Sequence, residues 1–114
     1  MSADTEESLI LQAKKCFIFD DFAASIKIID QVLEKYPSSQ GHNTYILFRA
    51  ICNYKLKQFD LALKDLDLLE KDEKYKKDFN YFLTRGKVLF YQSKFVECKM
   101  TLNNALIALD IINR

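Results

Sequence analysis

Apolar residues recur along this chain three and four positions apart, the spacing of one face of an α-helix, and do not alternate as they would in a strand. Leu9, Ala13 and Cys16 share one such face, and Phe22, Ser25/Ile26, Ile29, Val32/Leu33 and Tyr36 share another. The cadence returns in Ile46, Ala50 and Asn53, followed by Phe59, Ala62/Leu63, Leu66 and Leu69. It returns once more in Phe82, Gly86 and Leu89, followed by Phe95, Cys98, Leu102, Ala105/Leu106 and Leu109. The pattern predicts an all-α chain of three antiparallel helix pairs, with a tight turn ahead of each of Phe22, Phe59 and Phe95.

The three pairs are copies of one unit. Small residues stand at Ala13, Ala50 and Gly86, and nine positions after each comes a phenylalanine. The columns Ser25/Ala62/Cys98, Ile29/Leu66/Leu102 and Val32/Leu69/Ala105 keep the same register, stepping by 37 and then 36 residues. Small side chains are needed where two helices approach closely, and the phenylalanine then wedges the turn end of each pair. The expected organisation is one domain over 1–114, with units at about 5–37, 43–74 and 79–112. Capping chemistry agrees with these limits: Asp4 or Thr5 for the first helix, Asp20 or Asp21 for the second, Asn43 for the third and Asp78 for the fifth. Segment 38–43 reads as a polar loop and 70–78 as a solvated, mixed-charge connection.

Composition narrows the alternatives. The 114 residues include only two glycines and one proline, too few punctuators for a sandwich, barrel or Rossmann fold. A net charge of +1 gives no electrostatic reason to expect nucleic acid or a membrane surface. No apolar run approaches the roughly eighteen residues of a membrane-crossing helix, and the N-terminus is acidic where a leader would be basic. Three widely spaced cysteines (Cys16, Cys52, Cys98) and one histidine form no metal-ligand cluster, and the cysteines read as buried free thiols of a reducing compartment, cytoplasm or nucleus.

Candidate chemistry is correspondingly thin. His42 lies in the polar loop with no nucleophile placed to use it, and reads as solvated. The Asp20–Asp21 pair is better explained by capping than by acid–base work. Lysines 71, 74, 76 and 77 are interleaved with Glu70, Asp72, Glu73 and Asp78, which neutralise them. Arg49 and Arg85 share a column, and Asp65 and Asp67 are their expected ion partners. With no nucleophile beside a base, no metal cluster and no phosphate loop, the expectation is a non-enzyme without cofactor, metal or small-molecule substrate.

The layout Ala13…Phe22-x-x-Ser25…Pro37, Ala50…Phe59-x-x-Ala62 and Gly86…Phe95-x-x-Cys98 resembles the tetratricopeptide repeat (TPR) family over about residues 5 to 112. It departs in a period two or three residues longer than the family norm, a first-helix aromatic present only as Phe82, and a single terminal proline. The resemblance implies a right-handed α-solenoid whose first helices line a concave groove. It places Ile10, Lys14, Phe17, Leu47, Phe48, Ile51, Tyr54, Leu83, Lys87, Phe90 and Tyr91 on that groove. Such a lining suits a partner protein's amphipathic helix or apolar peptide, with Phe48, Tyr54, Phe90 and Tyr91 as anchors. The carboxylate clamp by which some family members hold chaperone tails would fall on Ile10, Lys14, Phe48, Asn80 and Thr84, and none matches it. The implied role is an interaction module or adaptor within a larger assembly, of ubiquitin-ligase or co-chaperone scaffold type.

Repeat arrays usually finish on a polar capping helix. Here the chain stops inside the last second helix, where Leu109 is expected to pack back while Ile107, Ala108, Ile111 and Ile112 cover other faces. The expectation is that this end is covered by a partner, by further sequence, or by a homodimer contact through Ile107, Ile111 and Ile112; in the alternative reading the chain is a self-associating structural domain whose apolar face and C-terminal helix form that homodimer.

Overall fold

The computed structural model describes residues 5–113, and Asp4, one of the two candidate first caps, lies outside them. Among the described residues there are six α-helices: α1 (Glu6–Ile18), α2 (Phe22–Lys35), α3 (His42–Lys55), α4 (Phe59–Leu69), α5 (Phe79–Tyr91) and α6 (Phe95–Ile112). Among the described residues there is no strand, and no helix is long and apolar enough to cross a membrane. Helices pair as α1 with α2, α3 with α4 and α5 with α6, and each second helix packs on the first helix of the next unit. The result is elongated, 51 × 30 × 23 Å, with a Cα radius of gyration of 14.7 Å, against about 13 Å for a compact domain of this length.

The turn inside each pair is the same three-residue device. Two residues past the end of each first helix stands one with left-handed backbone, Asp20, Lys57 or Ser93, at φ of 62°, 61° and 61°. The next N–H then reaches back five residues, from Asp21 to the Cys16 carbonyl, Gln58 to Asn53, and Lys94 to Leu89, at 2.8, 2.8 and 2.9 Å. This closes the orphan carbonyls of the first helix and launches Phe22, Phe59 and Phe95 as the first residue of the second. Glycine is the usual occupant of that left-handed position, and none of the three turns has one, which is how the chain manages with two glycines.

Caps follow the sequence reading in part. Thr5, Asp21 and Asp78 accept from the N–H groups of Ser8, Ala24 and Tyr81. Asn43 is no cap: α3 begins at His42 after Gly41, and the Asn43 amide instead donates to Asp72 across the units at 2.8 Å. His42 is likewise a helix residue, half-buried in the first turn of α3, not a loop residue. The 70–78 connection holds a short 3-10 turn, Glu73–Lys77, because Tyr75 pulls it inward to 2% exposure against Tyr81.

Every small-column residue is buried, and so are Ile29, Leu66, Val32 and Leu69. Ser25 reconciles its hydroxyl with that column by donating to the Ala13 carbonyl at 2.7 Å. Gly86 occurs where Leu102 leans in; a Cβ there would lie 2.8 Å from the Leu102 Cγ, so the alanine of the other two units does not fit unless Leu102 moves.

Stacking between units uses a further set of columns. Tyr45/Tyr81, Arg49/Arg85 and Cys52/Val88 face the preceding second helix, and Cys52 and Val88 are fully buried. In α1, the first of the described helices, the same columns hold the polar Ser8, Gln12 and Lys15. Arg49 donates to Asp30 at 2.8 Å and Arg85 to Asp67 at 2.9 Å, the same pair one unit apart. Arg49 additionally clamps the buried Asp65 with two bonds of 2.7 and 3.0 Å, and Asp65 also accepts from Asn53 at 3.4 Å. The Asp65 carboxylate holds the Arg49 guanidinium above its ordinary range, with burial working against it and Asp30 adding to it.

Candidate functional site

The first helices α1, α3 and α5 lie side by side on one face. α3 packs directly on α5, and α1 meets α3 through Phe17 and Phe48, whose rings touch edge to face at 5.6 Å. Each unit repeats one aromatic contact across its own turn: Phe17 with Phe22 at 5.2 Å, Tyr54 with Phe59 at 6.1 Å and Phe90 with Phe95 at 5.7 Å. These pairs fix the last turn of each first helix, so the rings that border the face are held by neighbours and do not swing freely.

Between α1 and α3 the face opens into an apolar groove of about 370 Å³, lined by Ile10, Lys14, Phe17, Ile18, Thr44, Tyr45 and Phe48. Ile10 forms its floor and is buried; Phe17 and Phe48 are half-buried walls, and Ile18 is 73% exposed at the rim. The Tyr45 hydroxyl donates to Glu6 at 2.6 Å, and Ser39 donates to the same carboxylate at 2.8 Å. These two bonds hold the Glu6 carboxyl below its usual range, and burial together with Glu6 raises the Tyr45 hydroxyl. The start of α1, the 36–41 loop and α3 are thereby tied at the groove's edge.

Between α3 and α5 the surface is aromatic. Tyr91 stacks on Phe59 at 5.2 Å with the rings almost parallel and lies 6.0 Å from Tyr54, and the Lys87 ammonium sits 5.7 Å over the Tyr54 ring. Phe90 and Tyr91 remain more than half exposed. Lys14 and Lys87 occupy the same column in the first and third units, both exposed, with the half-buried Ile51 between them in the second. Leu83 is half-buried, whereas Leu47 is in the core with Leu66, Leu69 and Tyr75 and presents almost nothing to solvent.

The structure thus gathers Ile10, Lys14, Phe17 and Phe48 into one groove, and Tyr54, Lys87 and Tyr91 into a second cluster beside it. The sequence columns omit Tyr45 and Phe59 from this face: Tyr45 stands in no column, and Phe59 is read as the wedge of the turn. For Phe59 a signal was available, since an aromatic at the turn must pack on whatever precedes it in the first helix. Thr84, one of the tested clamp positions, is buried and donates to the Asn80 carbonyl at 2.8 Å, so it offers no free hydroxyl. Cys52 is buried beside Ser25, and burial pushes its thiol up to about 12. Among the described residues no three His, Cys, Asp or Glu side chains converge as metal ligands would.

At the other end of the chain, Ile107, Ile111 and Ile112 are all more than half exposed. Ala108 is the residue that packs back, and Leu109, expected to do so, is 36% exposed. The inner face of α6 runs through Cys98, Ala105 and Ala108, so small residues let this helix lie close to α5 and turn Leu109 to its edge.

The fold and this surface define an all-helical protein of three stacked helix pairs with an apolar and aromatic face along its first helices. No protein-family model matches the chain, and no curated protein matches it.

Proposed function

We propose that this chain is a TPR-like interaction module, a right-handed stack of three helix pairs, that docks a helix or apolar extended segment of a partner protein along α1, α3 and α5. The observation that carries this reading is the pre-formed apolar groove at Ile10, Phe17, Ile18 and Phe48, continued by exposed Phe90 and Tyr91 on the same face. Soluble proteins seldom leave such a run of large apolar side chains on one surface unless something binds there. Rings already held by Phe22, Phe59 and Phe95 lose little entropy on binding, which favours them as anchors. Lys14 and Lys87 stand at either end of the face and favour a segment with acidic residues flanking its apolar stripe. In a larger assembly this would make the chain an adaptor that recruits through a short linear element.

The test is selection from a displayed library of amphipathic helical and apolar extended peptides, followed by affinity measurement on the selected ligands. Phe48→Glu and Tyr54→Ala are each expected to weaken binding by at least about thirtyfold, the scale of a buried aromatic anchor. If binding survives both substitutions while the circular dichroism spectrum stays that of the parent, the assignment of the first-helix face is wrong.

A further inference from the structure

The outward face of α6 departs from the same face of its sister helices. In register, Val96 replaces Ala23 and Asp60, Met100 replaces Lys27 and Lys64, and Ile107 replaces Glu34 and Lys71. All six of the replaced positions are exposed and all but Ala23 are charged, so at these positions the third unit is apolar where the first two are mostly polar, although α4 also exposes Leu61 and Leu68. Val96, Met100, Ile107 and Ile111 are each more than half exposed. At about 100° per residue these four fall within a narrow stripe, opposite the inner face made by Cys98, Ala105 and Ala108.

The spacing and the apolar–polar order along that stripe read the same in both directions. Val96, Met100 and Asn103 are followed by Asn104, Ile107 and Ile111, with spacings of 4, 3, 1, 3 and 4. An antiparallel copy of α6 laid on this stripe sets valine against isoleucine, methionine against isoleucine, and the two asparagines beside the two-fold axis. A polar amide pair in an otherwise apolar helical seam is a device that fixes register. Ile112 points away from the stripe and takes no part.

We propose that α6 is a homodimerisation helix, pairing antiparallel with α6 of a second copy through Val96, Met100, Ile107 and Ile111. Because the interface is isologous it closes at two subunits and leaves the α1–α3–α5 face open in both. It therefore stands or falls separately from the docking groove.

The test is sedimentation equilibrium on the full chain from low micromolar to several hundred micromolar. A monomer–dimer equilibrium is expected within this range. Met100→Asp combined with Ile107→Asp, both on the exposed side of the helix, is expected to raise the dissociation constant at least a hundredfold with helicity unchanged. Phe48→Glu is expected to leave it unaltered. For the geometry, Asn103→Cys faces itself across the axis and is expected to give a covalent dimer on mild oxidation, whereas Asp60→Cys at the matching exposed surface of α4 is not. A wild-type chain that stays monomeric throughout, growth beyond dimer, an undiminished dimer in the double variant, or equal cross-linking at the two cysteines would each overturn the proposal.

Discussion

Replacing Arg49 with methionine isolates the energetics that lock one unit to the next. The methionine keeps most of the aliphatic stem and removes the charge. What is left behind is the Asp65 carboxylate, 7% exposed, with only the 3.4 Å contact to Asn53 in place of a two-bond guanidinium clamp. Breaking a buried ion pair by removing one partner costs about 3–5 kcal/mol, because the surviving charge is uncompensated. The Arg49 side chain is itself 23% exposed, so water relieves part of that penalty and about 2–3 kcal/mol is expected here. Arg85 supplies the internal control. It occupies the same column, but its bond goes to Asp67, whose side chain is 58% exposed, and an exposed pair is worth about 0.5 kcal/mol.

Urea and thermal unfolding followed by circular dichroism would read the difference. Arg49→Met should lower the midpoint by about 8–12 °C and Arg85→Met by about 2 °C, at roughly 4 °C per kcal/mol for a domain of this length. Adding Asp65→Leu to Arg49→Met should recover most of the loss, since an apolar pair of matched size replaces a buried ionic one at little cost. Superimposable melts for the two arginine variants would refute the reasoning, because they would mean that Asp65 does not depend on its clamp.

Three other outcomes follow from the same structure. Lys57→Gly and Ser93→Gly relieve a left-handed backbone with no Cβ to crowd it, and each should stabilise the chain by about 0.5–1 kcal/mol in thermal melts. The buried Cys52 should resist alkylation at pH 8 in the folded chain and react in urea, as read by mass spectrometry. Its thiol is raised from an ordinary 9.0 to about 12, so the unfolded chain ionises first and stability should fall as pH climbs through that window; the raised Tyr45, Tyr54 and Tyr81 hydroxyls act in the same direction. Alkaline titration of the urea midpoint checks this, and a midpoint that holds steady above pH 9 contradicts it.

The helical pairs were legible because burial repeats at fixed register. Ala13, Ala50 and Gly86 must be small, and Ile29 and Leu66 must be large and apolar, wherever the same two helices meet. The turns were placed but not explained, since a left-handed Asp20, Lys57 or Ser93 leaves no mark without the glycine that usually occupies such a site. Asn43 reads locally as a cap, and only the distant Asp72 decides otherwise. Asp30 escaped as the partner of Arg49 because stacking, which no single-helix pattern encodes, brings them together. For the candidate site, the apolar character of the first-helix face could be read directly. Which of its residues reach solvent could not: Leu47 and Phe48 are neighbours in sequence, yet one is core and the other is a groove wall.

The central claim is that the face formed by α1, α3 and α5 is a protein-docking surface. Amide hydrogen exchange on the free chain and on the chain saturated with a selected peptide maps that surface directly. The account predicts that new protection concentrates in the last turns of α1 and α3 and along α5, around Phe17, Phe48, Tyr54 and Tyr91. Protection confined to α2, α4 or α6, with those first-helix turns unchanged, would contradict it.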